Sequence, residues 1–425
     1  MRVSNERKNL EEETMKVVKL VTIFITIMLI GAFICYAGGE KEEPAPAPVV
    51  EKEEAPAEDD VYVDEWVIPA INIITGVAAY HGMLYEYGVD LALEEINKSG
   101  GIRGKTVRVR WFDEAIQDAA RAIAAMSGAL DMKPVIVMGP CGDYTKASMP
   151  MAVEEGVYCM STLTGTDVCK QFQPWTLCFT SEFEPQTLAA TSKWVELNPG
   201  MKKIVHFINT QSSVWPAIAK AEDKGLHQFG IETVSIDVPN DAVNFGQFAV
   251  KALAEEPDGF VFTNHPNGMA KIIIELQKRG WDNNNRILLS QASLDPTLWS
   301  VGEGHLEGVY AWTWYNPVSD DPSWQKLNER HMQTFGVPAS FMMVWKGYDE
   351  LYLIKQAFED LKITGDPAKL KEERIAIRDY LNNVKGFDSI FGKVDFVDGI
   401  RQNPTFLFKI ENNYVANAIT IPTVY

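Results

Sequence analysis

Tyr87–Arg110 reads YGVDLALEEINKSGGIRGKTVRVR, and three structural signals follow one another within it. Val89, Ala92, Leu93 and Ile96 fall at i, i+3, i+4 and i+7, so an otherwise acidic helix can bury one face. Ser99, Gly100, Gly101 and Gly104 then supply a turn in which positive φ is cheap. Val107, Val109 and Trp111 alternate with Arg108 and Arg110, the period of a strand with one face covered. A helix feeding directly into a strand predicts a βαβ unit.

The same rhythm extends outward from this block. Val67–Ile74 is an apolar strand ahead of the helix, and Ala119–Leu130 is an Ala-rich helix behind it. Val135, Ile136, Val137 and Met138 form the continuous apolar run of a strand covered on both faces. Thr145–Glu155 reads as a helix and Val157–Ser161 as a fourth strand. After a break near Phe183 to Pro185 a second series begins. Its strands are Lys203–Ile208, Thr233–Val238, Gly259–Thr263, Ile287–Ser290 and Gly308–Trp314, with helices Pro216–Phe229, Phe245–Glu255 and Met269–Gly280 between them. Alternating strands and helices predict parallel sheets wrapped by helices, and two such units in one chain of 425 residues predict a two-lobed α/β protein with a cleft between the lobes. Met342–Leu361 is a long helix, and Val394–Phe396 and Phe406–Ile410 are short strands. These later elements are expected to return across the cleft.

A hydrophobic content of 46% with 23% charged residues is that of a folded soluble protein. The formal net charge of -19 argues against nucleic acid and anionic membrane surfaces as partners. Near the start, Lys16 and Lys19 precede an apolar run from Leu20 to Ile34, and Cys35-Tyr36-Ala37 offers small residues around a cleavage point after Ala37. Residues 1–37 therefore read as a secretory signal peptide, with Met15 as the better start. Two rival readings stand beside cleavage. One is lipidation of Cys35, whose preceding Ile34 is large for a lipobox, and the other is an uncleaved anchor. Residues 38–64 follow as an acidic Pro/Ala linker, without the apolar periodicity that could offset ordering. The expected location is outside the cytoplasm, in the periplasm or at the outer face of the cytoplasmic membrane, free or tethered.

Of the five cysteines, four lie beyond the leader: Cys141, Cys159, Cys169 and Cys178. Export permits disulfides, and Cys169 with Cys178, bracketing a loop that contains Pro174, is the favoured pair; four buried thiols are the alternative. No GxSxG, HExxH or P-loop is present, and the six histidines are not paired at metal spacing. GEGHLEG at Gly302–Gly308 has its third glycine misplaced for a nucleotide loop and precedes a strand. Cys141 in GPCG has no base beside it in sequence. No catalytic residue, cofactor or metal is expected.

What remains is a set of polar and aromatic residues at strand carboxyl ends, where open α/β sheets hold their ligands. Thr75, Gly76 and Tyr80 follow the first strand; Gly142, Asp143 and Tyr144 follow the third; Thr164, Gly165 and Thr166 follow the fourth. In the second unit the corresponding places hold Ser213 and Trp215, then His265, then Gln291 and Ser293. Singly each is ordinary turn chemistry, but the shared position makes them the expected ligand-binding set.

GVDLALEEINKSGGIRGKTVRVRWFDEA, PVIVMGPCGDYT and MAVEEGVYCMSTLTGT closely resemble the leucine/isoleucine/valine-binding family of periplasmic solute receptors of ABC transporters, from about Ile71 to Tyr425. The resemblance implies two Rossmann-like lobes joined by a three-crossover hinge. Residues 65–184 with about 315–400 would form one lobe, and 185–314 with about 401–425 the other. It also implies a monomer that closes on a small ligand and delivers it to a membrane permease. By the same resemblance Gly142, Thr164, Gly165 and Thr166 would hold a ligand carboxylate, with Tyr80 as a lid. The family's second-lobe aromatics fall at Ser213, near Trp215, and at His265. Its ammonium-gripping acid falls near Gln291 to Ser293, where no carboxylate stands, which argues against a standard branched-chain amino acid unless Asp143 or Asp295 substitutes. The partner usual for Cys141 aligns with Ile116, so that family disulfide is not expected. A sensory receptor of the same fold and, more remotely, a secreted hydrolase are the alternative functions.

Overall fold

The computed structural model describes residues 60–76, 79–115, 118–141, 144–211, 215–291, 294–336, 339 and 341–422. The expected leader and the acidic segment as far as residue 59 lie outside the described residues.

Within the opening block, helix α1 (Ala79–Lys98) buries Val89, Ala92 and Ile96, while Leu91 is buried and Leu93 only half so. The buried stripe is wider than one sheet requires because a second helix covers it. A Cβ on Gly88 would lie 1.9 Å from the carbonyl of Val344, and one on Gly347 2.4 Å from that of Tyr85. Backbone meets backbone there, which only glycine allows. The turn is equally demanding, since Gly101 has φ 78° and a Cβ on it would sit 1.9 Å from the carbonyl of Lys105. Asn97 closes the block: its amide donates to Val107 O at 2.9 Å and its carbonyl accepts from Val107 N at 2.8 Å. The strand so placed, β2 (Val107–Asp113), pairs in parallel with β1 (Trp66–Asn72) along its whole length.

Three further strands, β3 (Ile136–Met138), β4 (Tyr158–Ser161) and β5 (Thr176–Cys178), extend this first sheet in parallel. Helices α2 (Ala119–Leu130) and α3 (Thr145–Glu155) cover one face, packing Met126, Ala129 and Met149 on Ile71, Val137 and Cys159. The short α4 (Thr166–Gln171) precedes β5. The break expected near Phe183 to Pro185 is instead the first turn of α5 (Phe183–Leu197). A proline is tolerated there because its missing N–H would have had no partner inside the helix.

The second sheet contains β6 (Lys203–Ile208), β7 (Glu232–Asp237), β8 (Gly259–Thr263), β9 (Ile287–Leu289) and β10 (Tyr310–Thr313), all parallel. Helix α5 and α6 (Trp215–His227) cover Ile204, Val261, Leu288 and Trp312 on one face. Helices α7 (Gly246–Ala254) and α8 (Pro266–Gln277) meet Phe207, Phe260, Phe262 and Leu289 on the other. This alternation along each strand is what a parallel sheet with two covered faces requires.

After α9 (Pro296–Val301) and β10 the chain returns through α10 (Pro322–Phe335), α11 (Met342–Asp360) and α12 (Leu370–Leu381). It then adds β11 (Phe387–Ser389), β12 (Gly392–Val397) and β13 (Ile400–Gln402) to the first sheet, in the order β11-β12-β13-β5-β4-β3-β1-β2. Finally β14 (Thr405–Glu411) and β15 (Tyr414–Ile421) complete the second, in the order β15-β14-β10-β9-β8-β6-β7. The chain thus passes between the sheets three times. Buried polar contacts bind the passages together: Lys346 donates to Thr180 Oγ1 at 3.1 Å, Asn403 to Ser181 Oγ at 2.7 Å, and Arg401 to Asp349 Oδ2 at 3.0 Å.

Candidate functional site

The parallel strands of each sheet bring their carboxyl ends to one edge, so the loops that follow them carry the site. On the first sheet Tyr80 and His81 occupy the first turn of α1. Thr164 is buried and its hydroxyl lies 2.8 Å from that of Thr145, which joins the β4 loop to the start of α3. Tyr144 is the N-cap of α3 and Gly165 that of α4, and neither makes a side-chain capping bond. Thr166 is buried at the start of α4. Thr162 points the other way, donating its hydroxyl to Glu350 Oε1 at 2.7 Å. Thr75 is spent on the sheet edge: its hydroxyl donates to Asp113 Oδ2 at 2.5 Å and accepts from Arg121 Nη1 at 2.8 Å. Gly76 beside it is exposed, with φ 93°.

On the second sheet Trp215 opens α6 and His265 is the N-cap of α8. Their rings meet edge to face, with centroids 4.3 Å apart and planes at 77°. His265 Nε2 lies 2.9 Å from Asn240 Oδ1, which fixes the ring. Gln291, two residues past β9, is buried. Four residues on, Asp295 caps α9: its Oδ1 accepts from Thr297 N at 2.7 Å and from Thr297 Oγ1 at 2.6 Å.

The two sheets meet at Asp295. His81 Nε2 from α1 lies 3.7 Å from Asp295 Oδ2 and stacks on Phe341 with a centroid separation of 4.7 Å. Burial works against the Asp295 charge, but His81 and the hydroxyl and N–H of Thr297 hold its carboxyl below the usual carboxylate range. The same carboxylate is felt by Tyr80, whose phenol is pushed up first by burial and then by Asp295. It is felt by His265 too. Burial and the neighbouring His81 hold the His265 imidazole below its ordinary value, and Asp295 only partly offsets them.

Of the sequence-predicted residues, Tyr80, Trp215 and His265 therefore come together, while Thr75 does not join them. Gly142, Asp143, Ser213 and Ser293 lie outside the described residues. His81 and Phe341 were not legible as site residues. The available signal for His81 was a histidine beside an expected lid residue at a strand-to-helix junction, and Phe341 arrives from a distant passage of the chain. Cys169 and Cys178 do become neighbours, in a small buried cluster with Ile400, but they stand as free thiols instead of the expected disulfide. Burial and then Cys178 push the Cys169 thiol up, and Cys178 Sγ lies 3.4 Å from Thr164 O. Cys141 is also fully buried, and its thiol is pushed up by burial and by Glu114, the reverse of what a nucleophile needs. No group of three metal-ligating side chains occurs among the described residues.

The profile of periplasmic binding proteins matches residues 65–414. The chain belongs to the periplasmic binding protein family. Its fold is the type I fold of that family, two α/β sheets of mainly parallel strands. Leucine binding protein LivK of Thermotoga maritima superposes with a TM-score of 0.70 at 19% identity, over 84% of this chain and 99% of that one. LivJ of Streptococcus pneumoniae, a branched-chain amino acid transporter substrate binding protein solved with isoleucine, gives 0.70 at 19% over 84% and 99%. A solute binding protein of an ABC transporter from Rhodopseudomonas palustris, solved with p-hydroxybenzoic acid, gives 0.69 at 18% over 85% and 96%. No curated protein sequence matches the chain. Asp295 stands two residues past the Gln291 to Ser293 position at which the resemblance leads one to look for an acidic residue.

Proposed function

We propose that this periplasmic binding protein is the extracytoplasmic receptor of an ABC importer, taking a small carboxylate-bearing solute between two lobes and delivering it to a permease. The lobes are residues 65–184 with about 315–400, and 185–314 with about 401–425. The family places such receptors outside the cytoplasm; a leader and acidic linker that free or tether the domain complete the reading. The family and the fold are those of solute-binding proteins, and the chain is assigned no catalytic step.

One observation carries the reading. Residues from both sheets' carboxyl edges, His81 and Tyr80 from one and Asp295, His265 and Trp215 from the other, converge on a single aromatic-walled, charged point. A solute that touches both sides gains contacts only when the sides are together, so it stabilises the closed state by that difference. The solute's carboxylate is assigned to the β4 loop of the first sheet, where Thr164, Gly165 and Thr166 stand. Bound solutes in the relatives are an amino acid and an aromatic acid, which supports a carboxylate-bearing ligand.

The test is a thermal-shift panel of L-leucine, L-isoleucine, benzoate and 4-hydroxybenzoate. A true ligand at about 100 times its Kd stabilises the fold by about 2.7 kcal/mol, and Asp295→Leu reduces that shift. A melting temperature unmoved by every member of the panel would sink the assignment.

A further inference from the structure

We infer that the buried amides of Asn264 and Gln291 form a second polar subsite on the β8–β9–β10 edge. It takes a neutral group that both donates and accepts hydrogen bonds, a primary carboxamide or a hydroxyl, at the end of the solute remote from its carboxylate. The inference rests on the receptor reading above and specifies its ligand.

Sheet order brings the two residues to one edge of the second sheet. In the second sheet Phe262 pairs with Leu289, and Leu289 with Ala311, in parallel ladders. Asn264 is the first residue past β8 and Gln291 the second past β9, so the two leave the carboxyl ends of neighbouring strands. Gln291 precedes Asp295 by one helical turn's worth of chain. Asn264 is 1% exposed and Gln291 5%.

Three polar atoms of these two side chains have no partner among the described residues: Asn264 Nδ2, Asn264 Oδ1 and Gln291 Oε1. Such atoms are rare in native interiors, because each costs about 1–3 kcal/mol when left unmet. Space has also been kept for one of them. A Cβ on Gly268, in the first turn of α8, would come within 2.8 Å of Asn264 Nδ2. A ligand that meets these atoms removes the penalty and so binds through the difference.

The unmet atoms define the group that fits. Two carbonyl oxygens call for a donor and one NH2 calls for an acceptor. A carboxylate would face two acceptors, and an ammonium would face the amide's own N–H bonds with no counter-charge in the pair. A neutral donor–acceptor group meets both kinds of atom at once. Asp295, His81 and His265 remain for the solute's charged or aromatic parts.

Two measurements test this, and the first needs no ligand. Replacing an unpartnered buried amide by an apolar side chain of similar size removes its penalty, so Gln291→Met raises the ligand-free melting temperature by about 2–4 °C. Asn264→Leu is the second variant should Gln291→Met pack poorly. A fall in both variants means that the amides have partners in the protein and overturns the inference. The second measurement is calorimetry with two matched pairs, L-leucine against L-glutamine and benzoate against 4-hydroxybenzoate. In at least one pair the member with the neutral polar group binds about 10-fold tighter or more, and Gln291→Met erases that preference. Binding of leucine or benzoate with no such preference overturns the subsite and leaves the receptor standing. Failure of all four to bind overturns both.

Discussion

Glu350→Gln is expected to change how stability depends on pH, and the buried centre of α11 gives the sign. Glu350 and Lys346 stand one turn apart and both are fully buried. Glu350 accepts from the hydroxyls of Tyr85 and Thr162; Lys346 donates to Thr162 O at 2.6 Å and to Thr180 Oγ1 at 3.1 Å. Burial pushes Glu350 from 4.5 up to about 8, and pushes Lys346 from 10.5 down to about 8. A carboxyl raised on folding holds a proton that the unfolded chain releases, so its contribution is full below pH 4.5 and is lost as pH rises to about 8. A lysine lowered on folding sheds a proton that the unfolded chain keeps, so stability recovers between about 8 and 10.5. The two arms make a trough near pH 8, each sloping by at most about 1.4 kcal/mol per pH unit. Glu350→Gln removes the acidic arm and takes away a charge that raises Lys346, so it does not restore the Lys346 arm. In urea titrations at constant ionic strength, wild-type minus variant stability should fall by a few kcal/mol, in order of magnitude, from pH 5 to pH 8. A difference flat within about 0.5 kcal/mol over that range would refute the argument.

Two other substitutions probe how α11 packs on the first sheet and on α1. Arg401 and Asp349 are each about 1% exposed, and Arg401 also donates to Ser389 Oγ and Asn403 Oδ1. Arg401→Met should cost about 3–5 kcal/mol in urea unfolding because Asp349 is left as an unpaired buried charge, and adding Asp349→Leu should restore part of it; a loss below about 1 kcal/mol would contradict the pair's role. Gly88→Ala forces a methyl group against the Val344 carbonyl at the crossing of α1 and α11. It should lower stability by about 1–3 kcal/mol, and an unchanged melting temperature would show that the two helices can part freely.

Much of the architecture was legible because it rests on local chemistry. The apolar stripe of α1, the glycines at 100 and 101, and the alternation at Val107–Trp111 each act over a few residues. The run at Val135–Met138 announces a strand covered on both faces. Phe183 to Pro185 misled because a proline in a first turn and a proline in a linker share the same local signal. The hydroxyl-rich turn at Thr164–Thr166 was legible as a turn, yet sequence order could not show that Thr75 would be taken by Asp113 and Arg121, since those contacts close only when β2 and α2 pack beside β1.

By itself, then, the sequence determined the βαβ rhythm and the two series of strands, because hydrophobic period and turn chemistry are properties of neighbours along the chain. Only the tertiary structure decided that His81 meets Asp295, that Phe341 lies over His81, and that Asn264 and Gln291 leave neighbouring strands with buried polar atoms unmet. Those relations join residues tens to hundreds of positions apart, and they exist only once sheet register and helix crossings have set the distances.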